Sequence, residues 1–205
     1  MNDAPGDIGK LRTYVQEMTR LVEAAGDDED RMLAEGRELL AGLVAEDDWL
    51  PDEFTRPHPE HFQQYLLYCD PLERFSAVSF VWGPGQKTPV YDHTVWGLVG
   101  QLRGAERETP FTRGADGKLI MGEAAVMHPG DVTAVSPTIG DIHVVANDMA
   151  DQTSISIHVY GANIGAVARH VFEPDTGEVK DFVSGYSSTV VPNLWDRSEA
   201  VRGAL

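Results

Sequence analysis

Pro84-Gly85-Gln86-Lys87-Thr88-Pro89-Val90-Tyr91-Asp92-His93-Thr94-Val95-Trp96-Gly97-Leu98-Val99-Gly100 and Pro137-Thr138-Ile139-Gly140-Asp141-Ile142-His143-Val144-Val145-Ala146-Asn147 are the two stretches on which the fold turns. In the first, one residue separates Tyr91 from His93. Side chains alternate along a strand, so this spacing puts a phenol and an imidazole on one face. In the second, a Gly-x-x turn at Gly140 leads into His143. The flanking runs are rich in β-formers: Phe75 to Trp82, Thr94 to Leu102, Val132 to Val135, His143 to Ala146 and Thr153 to Tyr160. Gly83-Pro84-Gly85, Gly114 to Gly117, Pro129-Gly130-Asp131 and Gly140-Asp141 punctuate them as turns. Many short strands with such punctuation predict a closed sandwich or barrel.

Upstream the pattern is helical. Ile8, Leu11, Val15, Met18 and Val22 recur at spacings of three and four, one apolar face of a helix. Gly26-Asp27-Asp28 interrupts it, and Met32, Leu33, Leu39, Leu40 and Leu43 mark a second helix that ends before Pro51. Phe62 to Leu67 reads as a short third helix. The expectation is a mainly β domain over residues 1–205, with a helical layer over 1–70 and a barrel over 71–205.

The 205 residues suffice for one well-buried domain. A net charge of −17 argues against nucleic acid and anionic membranes as partners. In so acidic a chain, a small anionic substrate needs a local cation. The single cysteine, Cys69, excludes an internal disulfide and suits a reducing compartment. There is no apolar run of membrane-spanning length, and Met1 to Gly9 lacks the pattern of a signal peptide. These features predict a cytoplasmic protein.

Ser156-Ile157-His158-Val159-Tyr160 places three polar side chains on one strand face, where a barrel core is ordinarily apolar. The alternative is a solvent-facing polar side of an antiparallel sheet. A lone histidine on a strand is more often a hydrogen-bonded core residue than a ligand, and Arg169 by itself reads as a surface ion pair.

The two quoted stretches resemble the paired motifs of the cupins, double-stranded β-helix (jelly-roll) barrels that commonly hold a metal. Gly140, His143 and Asn147 match the second motif. The resemblance narrows to bacterial thiol dioxygenases of the cysteine dioxygenase and 3-mercaptopropionate dioxygenase family. It is carried by Gln63 to Leu67, Arg74-Phe75-Ser76, Trp82 to Gly85, Asp92 to Gly97, Ser154 to Asn163 and Ser184-Gly185-Tyr186. It implies mononuclear Fe(2+) held at positions 91, 93 and 143, and a small thiol carboxylate and O2 as substrates. It implies further that Ser156 and His158 orient the Tyr160 hydroxyl and that Arg169 grips the carboxylate. Gln64 stands where cysteine-specific relatives carry arginine, which points away from free cysteine. Gly97 stands where animal cysteine dioxygenases place a crosslinked cysteine, so a crosslink to Tyr160 is not expected. A homodimer is expected from fold analogy alone.

The first motif departs from its family at Tyr91, where histidine is usual, and Tyr68 departs in the same way. A phenolate donor favours ferric over ferrous iron. If Tyr91 does not bind, water, His58 or His61 is left to complete the shell. Two further readings therefore stand beside the thiol dioxygenase: a related iron oxygenase or oxidase with an altered substrate, and a catalytically inactive cupin that binds a small anion.

Overall fold

The apolar face read from Ile8 to Val22 forms the first helix of the computed structural model, which describes residues 8–188 and 198–205. Helix α1 spans Gly9–Ala25 and α2 spans Glu29–Val44. Gly26 separates them at φ 58°, a left-handed conformation that glycine adopts without a Cβ penalty. The Asp28 carboxylate accepts from the Arg31 backbone N–H and caps α2. At the far end, the buried Trp49 indole donates to the Leu43 carbonyl, 2.9 Å away. Leu11, Met18 and Val22 are buried as the periodicity predicts, whereas Ile8 lies outside the helix and is exposed.

The remaining elements are β1 (Gln63–Cys69), β2 (Ser76–Trp82), β3 (Val90–Tyr91), β4 (Gly97–Arg103), β5 (Glu106–Arg113), β6 (Leu119–Met121), β7 (Ala125–Met127), β8 (Val132–Val135), β9 (Ile142–Asn147), β10 (Ser154–Tyr160), β11 (Arg169–Phe172), β12 (Val179–Phe182) and a short α3 (Ser198–Arg202). One sheet runs β1-β2-β10-β4-β8, the other β12-β11-β3-β9-β5-β6, with β7 also on β5. Every pairing between these strands is antiparallel. The architecture is mainly β, two antiparallel sheets with N-terminal helices, as the sequence predicted.

Strands β2 and β10 are buried along their whole length because both faces are covered. Ala77, Val81, Ile155, Ile157 and Val159 pack against the helices. Val78, Phe80, Trp82 and Tyr160 form a second core inside the barrel. The helical layer approaches closely at two glycines. A Cβ on Gly36 would lie 2.8 Å from Leu98, and one on Gly100 would lie 2.9 Å from Leu40 and Val44.

Two sequence expectations are corrected. Phe62 to Leu67 is not a helix: Gln63–Cys69 is strand β1, paired with β2 from Gln63↔Val81 to Cys69↔Ser76. Backbone pairing with β2 overrides a segment whose Gln and Leu content suits a helix, and the boundary of the helical layer moves ahead of residue 63. A bulge between Leu66 and Tyr68 breaks the alternation. Tyr68 consequently packs on the helical side, 5.5 Å ring to ring from Phe75, and not in the barrel interior. Second, Thr94 to Trp96 is a turn and not the start of a strand; Thr94 takes φ 61° and β4 begins at Gly97.

Candidate metal centre

Tyr91 and His143 oppose each other directly across β3 and β9. His93 follows β3 outside the strand, yet its ring returns to the same point. The Tyr91 hydroxyl lies 3.2 Å from His93 Nε2 and 3.1 Å from His143 Nε2. All three side chains are buried. Asp141 fixes the turn that brings His93 in: its carboxylate accepts from the backbone N–H groups of His93 and Thr94 and from His93 Nδ1 at 2.9 Å. Glu108 on β5 accepts from His143 Nδ1 at 2.7 Å. A carboxylate only accepts, so each imidazole carries its proton on Nδ1 and turns the Nε2 lone pair inward.

The proton count then falls short. Two Nε2 lone pairs face one phenol, which has one proton to give. Burial drives the His93 pKa down to about 4, against the hydrogen bond it donates to Asp141, so that ring is neutral at pH 7. One of the two close N···O pairs is left with no proton between its atoms. A cation among the three donors removes that deficit. Separations of 3.1 and 3.2 Å, with bonds of about 2.1 Å, subtend angles of about 95–100° at a shared ion. Imidazole nitrogens backed by carboxylates are the usual support of metal-binding histidines. The residues therefore fit a metal, and imidazole donors suit iron among others. Among the described residues no three His, Cys, Asp or Glu side chains converge alone; the third donor is a phenol. Burial raises the Tyr91 pKa, and Arg169 works against that rise.

The Ser156, His158 and Tyr160 side chains line the barrel interior, fully buried, so the solvent-facing alternative is excluded. Ser156 Oγ lies 2.8 Å from His158 Nε2, and His158 Nδ1 lies 2.7 Å from the Tyr160 hydroxyl. The Tyr160 ring stacks on His93 at 5.4 Å. Gly97, paired with Tyr160, makes this possible: a Cβ there would fall 2.9 Å from the Tyr160 ring. Burial pushes His158 well below its usual pKa and Tyr160 well above.

Arg169, on β11, is also buried and is not a surface residue. Its guanidinium lies 5.9 Å from the Tyr91 ring and 4.6 Å from that of Phe182. One terminal nitrogen donates to Ser184 Oγ at 2.7 Å, Nε has no acceptor, and among the described residues no carboxylate pairs with it. Burial lowers its pKa, the expected response of a desolvated cation. Gln64 donates to the same Ser184 oxygen and to the Gly185 carbonyl, at 3.2 and 3.0 Å. Tyr91, Arg169, Gln64, Phe80, Phe182 and Ser184 surround a cavity of about 50 Å³. That is room for about three or four water-sized groups. His58 and His61 stack on each other, 3.9 Å apart, in the segment before β1.

Sequence reasoning missed Asp141, Glu108 and Ser184 as individuals. Asp141 stood in the second quoted stretch, and Ser184 within the Ser184-Gly185-Tyr186 match. Glu108 lies in a polar run with no strand signal. No helix among the described residues is long and apolar enough to cross a membrane.

No family model matches the chain. Several solved structures similar to it are described as cupin or double-stranded β-helix proteins. One is an uncharacterized conserved protein with a double-stranded β-helix domain from Klebsiella pneumoniae: 17% identity, TM-score 0.41, 63% of this chain and 91% of that one. Another is a cupin 2 conserved barrel protein from Rhodopseudomonas palustris: 16% identity, TM-score 0.43, 60% and 77% covered. A third is a cupin superfamily protein from Desulfitobacterium hafniense: 15% identity, TM-score 0.43, 58% and 94% covered.

Proposed function

We propose that this chain is a mononuclear non-haem iron thiol dioxygenase that converts a small thiol carboxylate, such as 3-mercaptopropionate, to its sulfinate. The observation that carries this reading is a buried arginine that no carboxylate among the described residues pairs with, in the wall of the same small cavity as the Tyr91 ring. An unpaired buried charge is costly, and a bound anion would relieve it. The guanidinium fork matches a carboxylate, so Arg169 would bind that end of the substrate. Ser184 and Gln64 hold the fork in place. A cavity this small suits a substrate of a few atoms, and among the described residues its lining holds Arg169 for a carboxylate but no carboxylate to pair with the ammonium of free cysteine.

Tyr91, His93 and His143 would hold the iron. Bound there, iron supplies a redox-active Lewis acid at which a thiolate and dioxygen can react despite the spin barrier of O2. The overall change balances without a further reductant: R–S⁻ and O2 give R–SO2⁻, with two S–O bonds formed and the O–O bond broken. The protein's part is orientation and exclusion of water. Arg169 fixes the carboxylate, Phe80 and Phe182 wall off solvent, and Tyr160, its ring stacked on His93, has its hydroxyl held by His158. The phenol donor favours a second reading, an iron oxidase or oxygenase with another substrate, because an anionic oxygen ligand shifts iron toward the ferric state.

The test is oxygen uptake by iron-loaded protein with 3-mercaptopropionate, cysteine and cysteamine, with sulfinate identified by mass spectrometry. Stoichiometric sulfinate from the thiol carboxylate supports the reading. Iron binding without any sulfinate refutes it and leaves the second.

A further inference from the structure

The Arg169 fork rests on the stretch Phe182-Val183-Ser184 at the end of β12. The Phe182 ring lies 4.6 Å from the guanidinium, and Ser184 Oγ accepts from it at 2.7 Å. Val183 between them is buried, but Ser184 is exposed and lies beyond the strand. Packing therefore does not fix Ser184, and its place depends on hydrogen bonds. Some of these come from the far end of the chain. Arg202, in α3, donates from Nε and Nη2 to the Val183 carbonyl at 3.1 and 2.9 Å, and from Nη2 to the Ser184 carbonyl at 3.2 Å. Its Nη1 donates to Ser198 Oγ at 3.4 Å, which ties the guanidinium to its own helix. Gly185 permits the approach: a Cβ there would lie 3.1 Å from both Arg202 Nη2 and Ser198 Oγ.

We propose that Arg202 is a positioning residue for substrate binding: it fixes the main chain of Val183 and Ser184 from outside, so that Ser184 holds the Arg169 fork in place for a carboxylate. The inference deepens the proposed function, and it rests on that reading for what Arg169 binds.

Two arginines thus hold the same stretch by different groups. Arg169 meets the side chains of Phe182 and Ser184, whereas Arg202 takes the carbonyls of Val183 and Ser184. The chain just downstream is tied to the barrel: the Gly185 N–H donates to the Gly165 carbonyl at 2.9 Å, and the Ser187 N–H to the Gln64 carbonyl at 2.8 Å. Those bonds anchor the residues after Ser184, and Arg202 grips Ser184 and the residue before it. Without that grip the Ser184 main chain regains freedom, and the acceptor that orients the fork moves with it. The ordering of the Arg169 side chain is then deferred to the moment of binding. Immobilising one long side chain on binding costs about 3- to 10-fold in Kd.

Simpler roles account for Arg202 less well. A basic residue in the last turn of a five-residue helix gains little from the helix dipole. A lysine would supply a charge there, but its ammonium is a point donor on a flexible stem, whereas the planar fork of arginine spans two successive carbonyls in one fixed geometry. Helix α3 also lies beyond every stretch that carries the family resemblance, so the resemblance assigns Arg202 no role.

The experiment is anaerobic calorimetry on the iron-loaded full chain with 3-mercaptopropionate and with 1-propanethiol, a thiol of the same carbon count that lacks the carboxylate. Arg202→Ala should raise the Kd of 3-mercaptopropionate about 3- to 10-fold and leave that of 1-propanethiol within about 1.5-fold. Arg202→Lys keeps the charge without the fork and should show the same selective loss, so the test stands even if alanine releases α3. Ser184→Ala removes the link to Arg169, so adding Arg202→Ala to it should change neither Kd further. An unchanged Kd for 3-mercaptopropionate, equal weakening of both thiols, or a further loss in the double variant overturns the proposal. A wild type that binds 3-mercaptopropionate no better than 1-propanethiol overturns it together with the proposed function. Selective loss in a chain that forms no sulfinate would refute the proposed function and leave this inference standing.

Discussion

Replacing Arg169 with methionine should push stability and binding in opposite directions. The arginine is 3% exposed, and among the described residues no carboxylate pairs with it. Replacing a buried charge with an apolar side chain of similar length is often neutral or stabilising, by about 1–4 kcal/mol for well-packed replacements. Against that, the variant loses the stack on Phe182 at 4.6 Å, worth about 0.5–2 kcal/mol, and one hydrogen bond to Ser184, worth about 1 kcal/mol. The terms nearly cancel, so the folding free energy should move by no more than about 2 kcal/mol. Binding has no such compensation. A carboxylate brought into the cavity without its cation should lose about 2–5 kcal/mol, or roughly 30- to several-thousand-fold in Kd. Denaturant unfolding gives the first quantity and anaerobic calorimetry with 3-mercaptopropionate the second. A folded variant that binds within about threefold of wild type would refute the reasoning. A loss of stability well beyond about 3 kcal/mol would make Arg169 a structural residue.

Three other outcomes follow from the geometry. Glu108→Ala and Asp141→Ala each remove the acceptor that orients a histidine, and each should weaken iron binding about 10- to 100-fold, read by competition with a chelator. Gly97→Ala puts a Cβ 2.9 Å from the Tyr160 ring and should cost about 1–3 kcal/mol in denaturant unfolding; an unchanged midpoint would mean the ring yields freely. Glu106 has a folded pKa of about 7 against an ordinary value of 4.5, so between these the native state binds more protons than the unfolded chain. Stability should therefore fall as pH rises through that window, by up to about 3 kcal/mol for this group, and Glu106→Gln should lack that component in unfolding measured across pH.

The sequence made the barrel legible where burial imposes a simple period. Strand β10 alternates Ile155, Ile157 and Val159 toward the helices with Ser156, His158 and Tyr160 toward the interior, and that alternation is written in its residues. Strand β1 was opaque because Tyr65, Leu66 and Tyr68 fit a helical spacing as well as a bulged strand, and only pairing with β2 decides between them. Strand β5 was opaque for another reason. It is largely polar and contains Pro110, which argues against a sheet interior, yet the strand changes partners there, from β7 to β6. Glu108 was lost with it. His93 lies beside Tyr91, but not for the reason its spacing suggested. Its ring meets Tyr91 as expected, but what brings it there is the Asp141 carboxylate holding a turn, not the alternation of a strand.

The central claim is that Tyr91, His93 and His143 hold one iron. Its most direct measurement is the iron content and visible spectrum of the oxidised, iron-loaded chain, beside the same measurements on Tyr91→Phe and His143→Ala. The account predicts one iron per wild-type chain with a phenolate-to-iron charge-transfer band, loss of that band in Tyr91→Phe, and loss of stoichiometric iron in His143→Ala. A colourless ferric wild type, or iron content unchanged in His143→Ala, would contradict it.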